Sequence, residues 1–97
     1  MTQITMSNLN AMVAQINRAT GNAQEPWTRD GDKLRANIGN YHLSGAYGGY
    51  ALHQMLTDGG GIRDVFGSGH VAKRDLYERM RAFVAGIDAR TTQPVTA

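Results

Sequence analysis

From Trp27 to Phe66 the chain shows no helical hydrophobic period. It is cut instead at Asp30-Gly31, Gly39, Gly48-Gly49 and Gly59-Gly60-Gly61, with Gly67-Ser68-Gly69 just beyond. Glycine reaches positive φ without steric cost, so the backbone can reverse at each of these points. Short segments between such reversals read as strands, and strands joined by two-residue loops pair antiparallel. On both sides of this block the period becomes helical. Leu9, Met12, Val13 and Ile16 fall at i, i+3, i+4 and i+7 and predict an amphipathic helix from Ser7 to Ala19, with Ser7 as N-cap and Gly21 as its stop. Leu76, Met80, Phe83, Val84 and Ile87 predict a second helix from Ala72 to Ile87, helped by the i,i+4 pairs Asp75–Arg79 and Arg74–Glu78. The expected class is α+β: an N-terminal helix, an antiparallel sheet of four or five strands, and a C-terminal helix, with both helices on one sheet face.

Within the block, Asp30-Gly31 predicts a type I′ hairpin turn between Trp27-Thr28-Arg29 and Lys33-Leu34-Arg35. Leu34, Ala36 and Ile38 then alternate with Lys33, Arg35 and Asn37, the period of a strand, and Gly39 marks a bend before Asn40. Taking Gly48-Gly49 as a two-residue loop pairs Tyr47 with Tyr50, Gly45 with Leu52 and Leu43 with Gln54. One face then carries Tyr41, Leu43, Tyr47, Tyr50, Leu52 and Leu56, and the other His42, Ser44, Ala46, Ala51, His53 and Met55. Gly45, opposite Leu52, leaves a gap on the first face that an aromatic neighbour or a planar ligand can fill. Ile62 to Phe66 is the last expected strand.

Ninety-seven residues make one domain, expected over residues 1–90, with a frayed tail over 91–97. So small a chain buries little surface, and self-association would add to its stability. The net charge is +2, too mild for binding nucleic acid through charge alone, and no specific DNA binding is expected. The absence of cysteine excludes a disulfide scaffold, a thiolate zinc site and a cysteine nucleophile, and fits a reducing compartment. No apolar run has the ~20 residues of a membrane span, and no basic-then-apolar leader opens the chain.

The candidate chemistry lies in basic and aromatic side chains. Gly67-Ser68-Gly69 leads towards a helix whose first turn holds Lys73 and Arg74, and helix N-termini bind anions. Lys73, Tyr77 and Arg81 form one flank of that helix, Arg79 lies on the other, and Arg63 sits in the strand before it. Guanidinium forks suit phosphate and aromatic rings stack on bases, so this clustering points to a phosphate-bearing ligand with an aromatic base. The competing reading is a solvated helix face, which fits Arg79 with Asp75 in range. His42, His53 and His70 have no carboxylate at a ligand spacing, so no metal or other cofactor is expected. Ser44 and Ser68 lack a nucleophile elbow, and Asp58, Asp64 and Asp75 are scattered, so no catalytic set is expected and the chain reads as a non-enzyme.

At Asn37-Ile38-Gly39-Asn40-Tyr41-His42-Leu43, Ala46-Tyr47-Gly48-Gly49-Tyr50, Gly60-Gly61-Ile62-Arg63-Asp64-Val65 and Lys73-Arg74-Asp75-Leu76-Tyr77 the sequence resembles small phage and prophage accessory proteins. In size, element order and basic last helix it is similar, over about residues 7–87, to the phage anti-Thoeris sponge proteins. That resemblance implies a non-enzymatic homo-oligomer in the host cytoplasm that sequesters a small cyclic nucleotide, either a cyclic ADP-ribose isomer or a cyclic oligonucleotide. It implies arginines of the last helix on the phosphates, Arg74 first and Arg81 or Arg79 second, with an aromatic side chain on the base. The last helix departs from the pattern in having no Arg-x-x-x-Arg pair. The expected ligand-binding residues are therefore Arg74, Lys73, Arg63, Arg81, Arg79, Tyr47, Tyr50 and Ser68. The alternative is a protein–protein inhibitor of a host defence complex, of the anti-CRISPR type, using the same surface.

Overall fold

The computed structural model describes residues 3–92. The order is α1 (Met6–Thr20), β1 (Trp27–Asp30), β2 (Lys33–Ala36), β3 (Tyr41–Ala46), β4 (Gly49–Met55), β5 (Ile62–Asp64) and α2 (Lys73–Thr92). This is the α+β arrangement of helix, five antiparallel strands and helix, with the strands divided into a two-stranded sheet β1-β2 and a three-stranded sheet β3-β4-β5. The second helix continues past Ile87 to Thr92, so the first two residues expected to fray are helical; 93–97 lie outside the described residues.

The first helix begins earlier than its apolar stripe suggests. Thr5, not Ser7, is the N-cap: its hydroxyl accepts from the backbone N–H of Asn8, and the Asn8 side chain accepts from the Thr5 N–H. Asparagine here fills the role that Glu or Gln usually takes in a capping box. Gly21, at φ 73°, ends the helix in the left-handed conformation expected of it.

The β3–β4 hairpin turns one residue earlier than Gly48-Gly49. Ala46 pairs with Gly49, Gly45 with Tyr50, Leu43 with Leu52 and His42 with His53. The loop is Tyr47-Gly48, with φ of 54° and 74°, the positive pair a type I′ turn demands. Gly49 stays in the strand because the backbone of His70 and Val71 lies on it; a Cβ there would sit 3.0 Å from that backbone. The expected Tyr47–Tyr50 pair is lost, yet the two faces survive, since moving both strands by one place preserves parity. Tyr50 instead lies over Gly45 and fills the gap the glycine leaves. At Gly31-Asp32 only the first residue has positive φ, so the first hairpin has the type II′ pattern rather than I′.

The core lies between the helices and one face of the three-stranded sheet, where Leu9 and Ile16 of α1 meet Leu76, Met80 and Val84 of α2 over Tyr41 and Leu52. Tyr41 and Phe66 each pack edge-on against Phe83. Asn17, fully buried, joins α1 to the sheet: its amide donates to the Tyr41 carbonyl (3.0 Å) and its Oδ1 accepts from the Tyr41 N–H (2.9 Å). A helix side chain thereby satisfies the outer backbone edge of β3.

The β1-β2 ribbon lies apart from this core. Trp27, Arg29, Leu34 and Ala36 share one side, and Trp27 rests on Gly60, where any Cβ would collide with the indole. Leu34 stays 58% exposed and Ile38 63%. Two strands alone cannot bury both of their faces.

Two substitutions test this reading. Asn17→Ala strips both partners from buried Tyr41 backbone groups and should lower unfolding free energy by about 2–4 kcal/mol in urea titrations. Tyr47→Asn relieves the side chain's αL strain and should raise the thermal midpoint by about 2–5 °C. A fall in the midpoint of that variant would show that the tip is not strained.

Candidate functional site

Residues 70–72 carry the chain from the loop to α2, and their anchoring creates a concavity. Tyr50 and Val71 exchange two backbone hydrogen bonds of 2.8 and 2.9 Å, which hold the start of α2 against the tip of the β3–β4 hairpin. A cavity of about 620 Å³ opens there, lined by Gly48, Tyr50, Ala72, Lys73 and Arg74, with Gln3 and Ile4 on the remaining side. The Lys73 ammonium stands 6.0 Å from the centre of the Tyr50 ring, the outer limit of a cation–π contact. Lys73 and Arg74 add their charges to the partial positive charge at the helix end, and Asp75 supplies one negative charge in the same turn. An aromatic plane beside two cations suits a ligand with an anionic group and a flat ring.

The structure brings Tyr50, Lys73 and Arg74 to this cavity and distributes the other expected residues elsewhere. Arg79 is held by Asp75 at 2.9 Å. Arg81 lies 3.9 Å from Glu78 and borders a separate depression of about 220 Å³ at the α1–α2 seam, with Tyr77 and Met12. Arg63, on the edge strand β5, donates to the side chain of Gln54 opposite it at 2.8 Å. Tyr47 is fully exposed at the hairpin tip, one residue from the cavity wall, with its ring edge-on to His70.

Gly67-Ser68-Gly69 already holds an anion, the chain's own Asp64 carboxylate. Its two oxygens accept from the N–H groups of Gly67 (3.2 Å) and Gly69 (2.8 Å), and the Ser68 hydroxyl donates to the Gly69 carbonyl. These backbone N–H groups therefore form an anion-holding turn that serves to fold the loop. Asp64, three residues before Gly67, is the sequence signal: aspartate closes turns on backbone N–H groups just downstream.

The opposite face of the sheet gathers all three histidines. His42 and His53 are directly opposed across β3 and β4, with ring centres 6.0 Å apart, and the His70 ring centre lies 6.0 Å from that of His53. The Ser44 hydroxyl lies 3.0 Å from His70 Nε2, and His42 Nδ1 lies 3.2 Å from the Asn40 side-chain oxygen. No three histidine, aspartate or glutamate side chains among the described residues converge as a ready-made metal centre. Burial pushes the His42 imidazole below its ordinary value, and the neighbouring His53 pushes it further. Burial also lowers His53; the Asp64 charge opposes that shift and His70 adds to it.

A lowered folded-state value means that the unfolded chain binds these protons more tightly. Stability from the two histidines is complete above the ordinary value of 6.5 and is lost as pH falls from there through their lower folded-state values. Urea midpoints in chelator-containing buffer should therefore fall between about pH 7 and pH 5.5, and His42→Gln should flatten that slope. An unchanged slope in the variant would remove His42 as its source.

No helix among the described residues is long and apolar enough to cross a membrane. The chain matches no known protein family, no curated protein and no solved structure.

Proposed function

We propose that this chain is a non-enzymatic capture protein whose ligand is a small cyclic nucleotide, held at the hairpin–helix cavity. The observation that carries the reading is the convergence of the Tyr50 ring, Lys73 and Arg74 on one concavity at the start of α2. Its volume of about 620 Å³ lies within the roughly 300–1,000 Å³ range of small-molecule sites. The cations meet phosphate, and the ring stacks on a base or on its sugar edge. The resemblance to phage sponge proteins supplies the ligand class and the biological role: depletion of a host defence signal in the host cytoplasm. Homo-oligomeric copies would multiply the sites.

A second reading, an inhibitor that contacts a host defence complex directly, draws on a different observation. Trp27, Leu34 and Ile38 leave an apolar surface on and beside the β1-β2 ribbon. Such surfaces suit protein partners.

The test is thermal shift of the purified full chain against cyclic ADP-ribose isomers and cyclic di- and trinucleotides, followed by chromatography of the recovered ligand. At a hundred times its Kd, a ligand adds about 2.7 kcal/mol, a shift of roughly ten degrees in a domain of this size. The shift should vanish in the Lys73→Ala, Arg74→Ala double variant and persist in Arg79→Ala. A flat panel overturns the nucleotide reading and favours the protein partner. A cleaved ligand overturns capture without catalysis.

A further inference from the structure

We infer that His42 and His53 form a two-imidazole site for a divalent transition-metal ion of the zinc, nickel or copper class on the sheet face opposite the helices. This inference stands apart from the cavity and needs no nucleotide.

Opposed residues on paired strands keep their Cβ atoms within about 5.5 Å, and the strands are among the rigid parts of the fold. Two imidazoles on one tetrahedral ion, each with nitrogen about 2.0–2.1 Å from it, have ring centres about 5 Å apart. The observed 6.0 Å requires a closure of about 1 Å, within the reach of side-chain torsions.

The surroundings of His42 fix which nitrogen is offered. Asn40 is fully buried, and its amide nitrogen donates to the Ala23 carbonyl at 2.7 Å. Its oxygen can then only accept, so His42 Nδ1 must be the donor in their 3.2 Å contact. The Nε2 lone pair is left for an ion. A ligating histidine whose other ring nitrogen donates to a fixed oxygen is the usual outer-shell arrangement at metal sites.

The neighbouring groups explain why the pair stands alone. Asp64 is opposite His53 on β5, but its carboxylate oxygens accept from Gly67 and Gly69. His70 reaches His53, but its Nε2 faces the Ser44 hydroxyl. Two imidazoles with open positions suit a borderline ion that retains water, and neutral nitrogen ligands favour zinc, nickel or copper over magnesium or calcium. An ion there would tie β3 to β4.

The experiment is Zn2+ titration of the full, tag-free chain, followed by calorimetry and by the ring 1H–15N correlations of the three histidines. The expected result is one equivalent bound, with the His42 and His53 ring signals moving together and the thermal midpoint rising. His42→Gln and His53→Gln should each weaken binding by about tenfold or more, while His70→Gln leaves it within a few-fold. The inference is overturned if the two rings do not respond to excess Zn2+. It is equally overturned if His70→Gln removes binding while His42→Gln does not. The ring signals of the unmodified chain decide the matter even where a variant fails to fold.

Discussion

The tight turn at Tyr47-Gly48 is the constraint on which the rest of this structure depends. Closing the β3–β4 hairpin there sets Ala46 against Gly49 and, through the ladder, every opposed pair down to Tyr41 and Gln54. The same register lays Tyr41 and Leu52 under the helices and turns His42 and His53 the other way. It also leaves Gly49, a residue without a side chain, where the segment entering α2 must cross. Had the turn formed at Gly48-Gly49, that crossing point would carry Tyr50 or Tyr47. The two glycines thus do different work: Gly48 supplies a left-handed backbone and Gly49 supplies room.

Asn17 makes the equivalent connection for the first helix. A sheet edge and a helix both have satisfied internal hydrogen bonds or solvent to turn to, so hydrophobic contact alone would let α1 slide along β3. Two hydrogen bonds from one fully buried amide to one residue's backbone permit a single setting. The core then forms around a fixed geometry, and the start of α2 reaches the hairpin tip because the Tyr50–Val71 bridge holds it there. The cavity is a consequence of that docking rather than an element in its own right.

Much of the fold was legible in the sequence because it rests on local rules. The stripe from Leu9 to Ile16, the stop at Gly21 and the alternation in β3 and β4 are each fixed within a few residues. The cap at Thr5 was obscured because Asn8 replaces the expected Glu or Gln. The turn position was missed because aromatic pairing favoured Tyr47–Tyr50, whereas the observed register sets side-chain-free Gly49 against His70 and Val71, more than twenty residues away. Strand pairing beyond the hairpins was hidden for the same reason: nothing local says that β2 leaves the sheet at the Asn37–Asn40 turn. Of the candidate site, Tyr50, Lys73 and Arg74 meet because a backbone bridge joins positions twenty-one residues apart. The i,i+4 spacing of α2 already paired Arg79 with Asp75, as the structure has it, but did not reveal Glu78 beside Arg81.

The segment from Asp64 to Val71 has consequences for both faces of the hairpin. At one end the Asp64 carboxylate occupies the Gly67 and Gly69 N–H groups, which fixes the loop and withdraws a ligand oxygen from His53. In the middle, His70 covers His53 and meets Ser44. At the other end, Val71 delivers Lys73 and Arg74 to the ring of Tyr50. A cavity lined by two cations and a histidine pair therefore lie on opposite sides of one short hairpin and are organised by one connecting loop. The two stay separate because Tyr50 faces the helices while His42 and His53 face the other way. Strand alternation sets Tyr50 and the histidines on different faces, and the Tyr50–Val71 bridge brings the cations of α2 to the Tyr50 side.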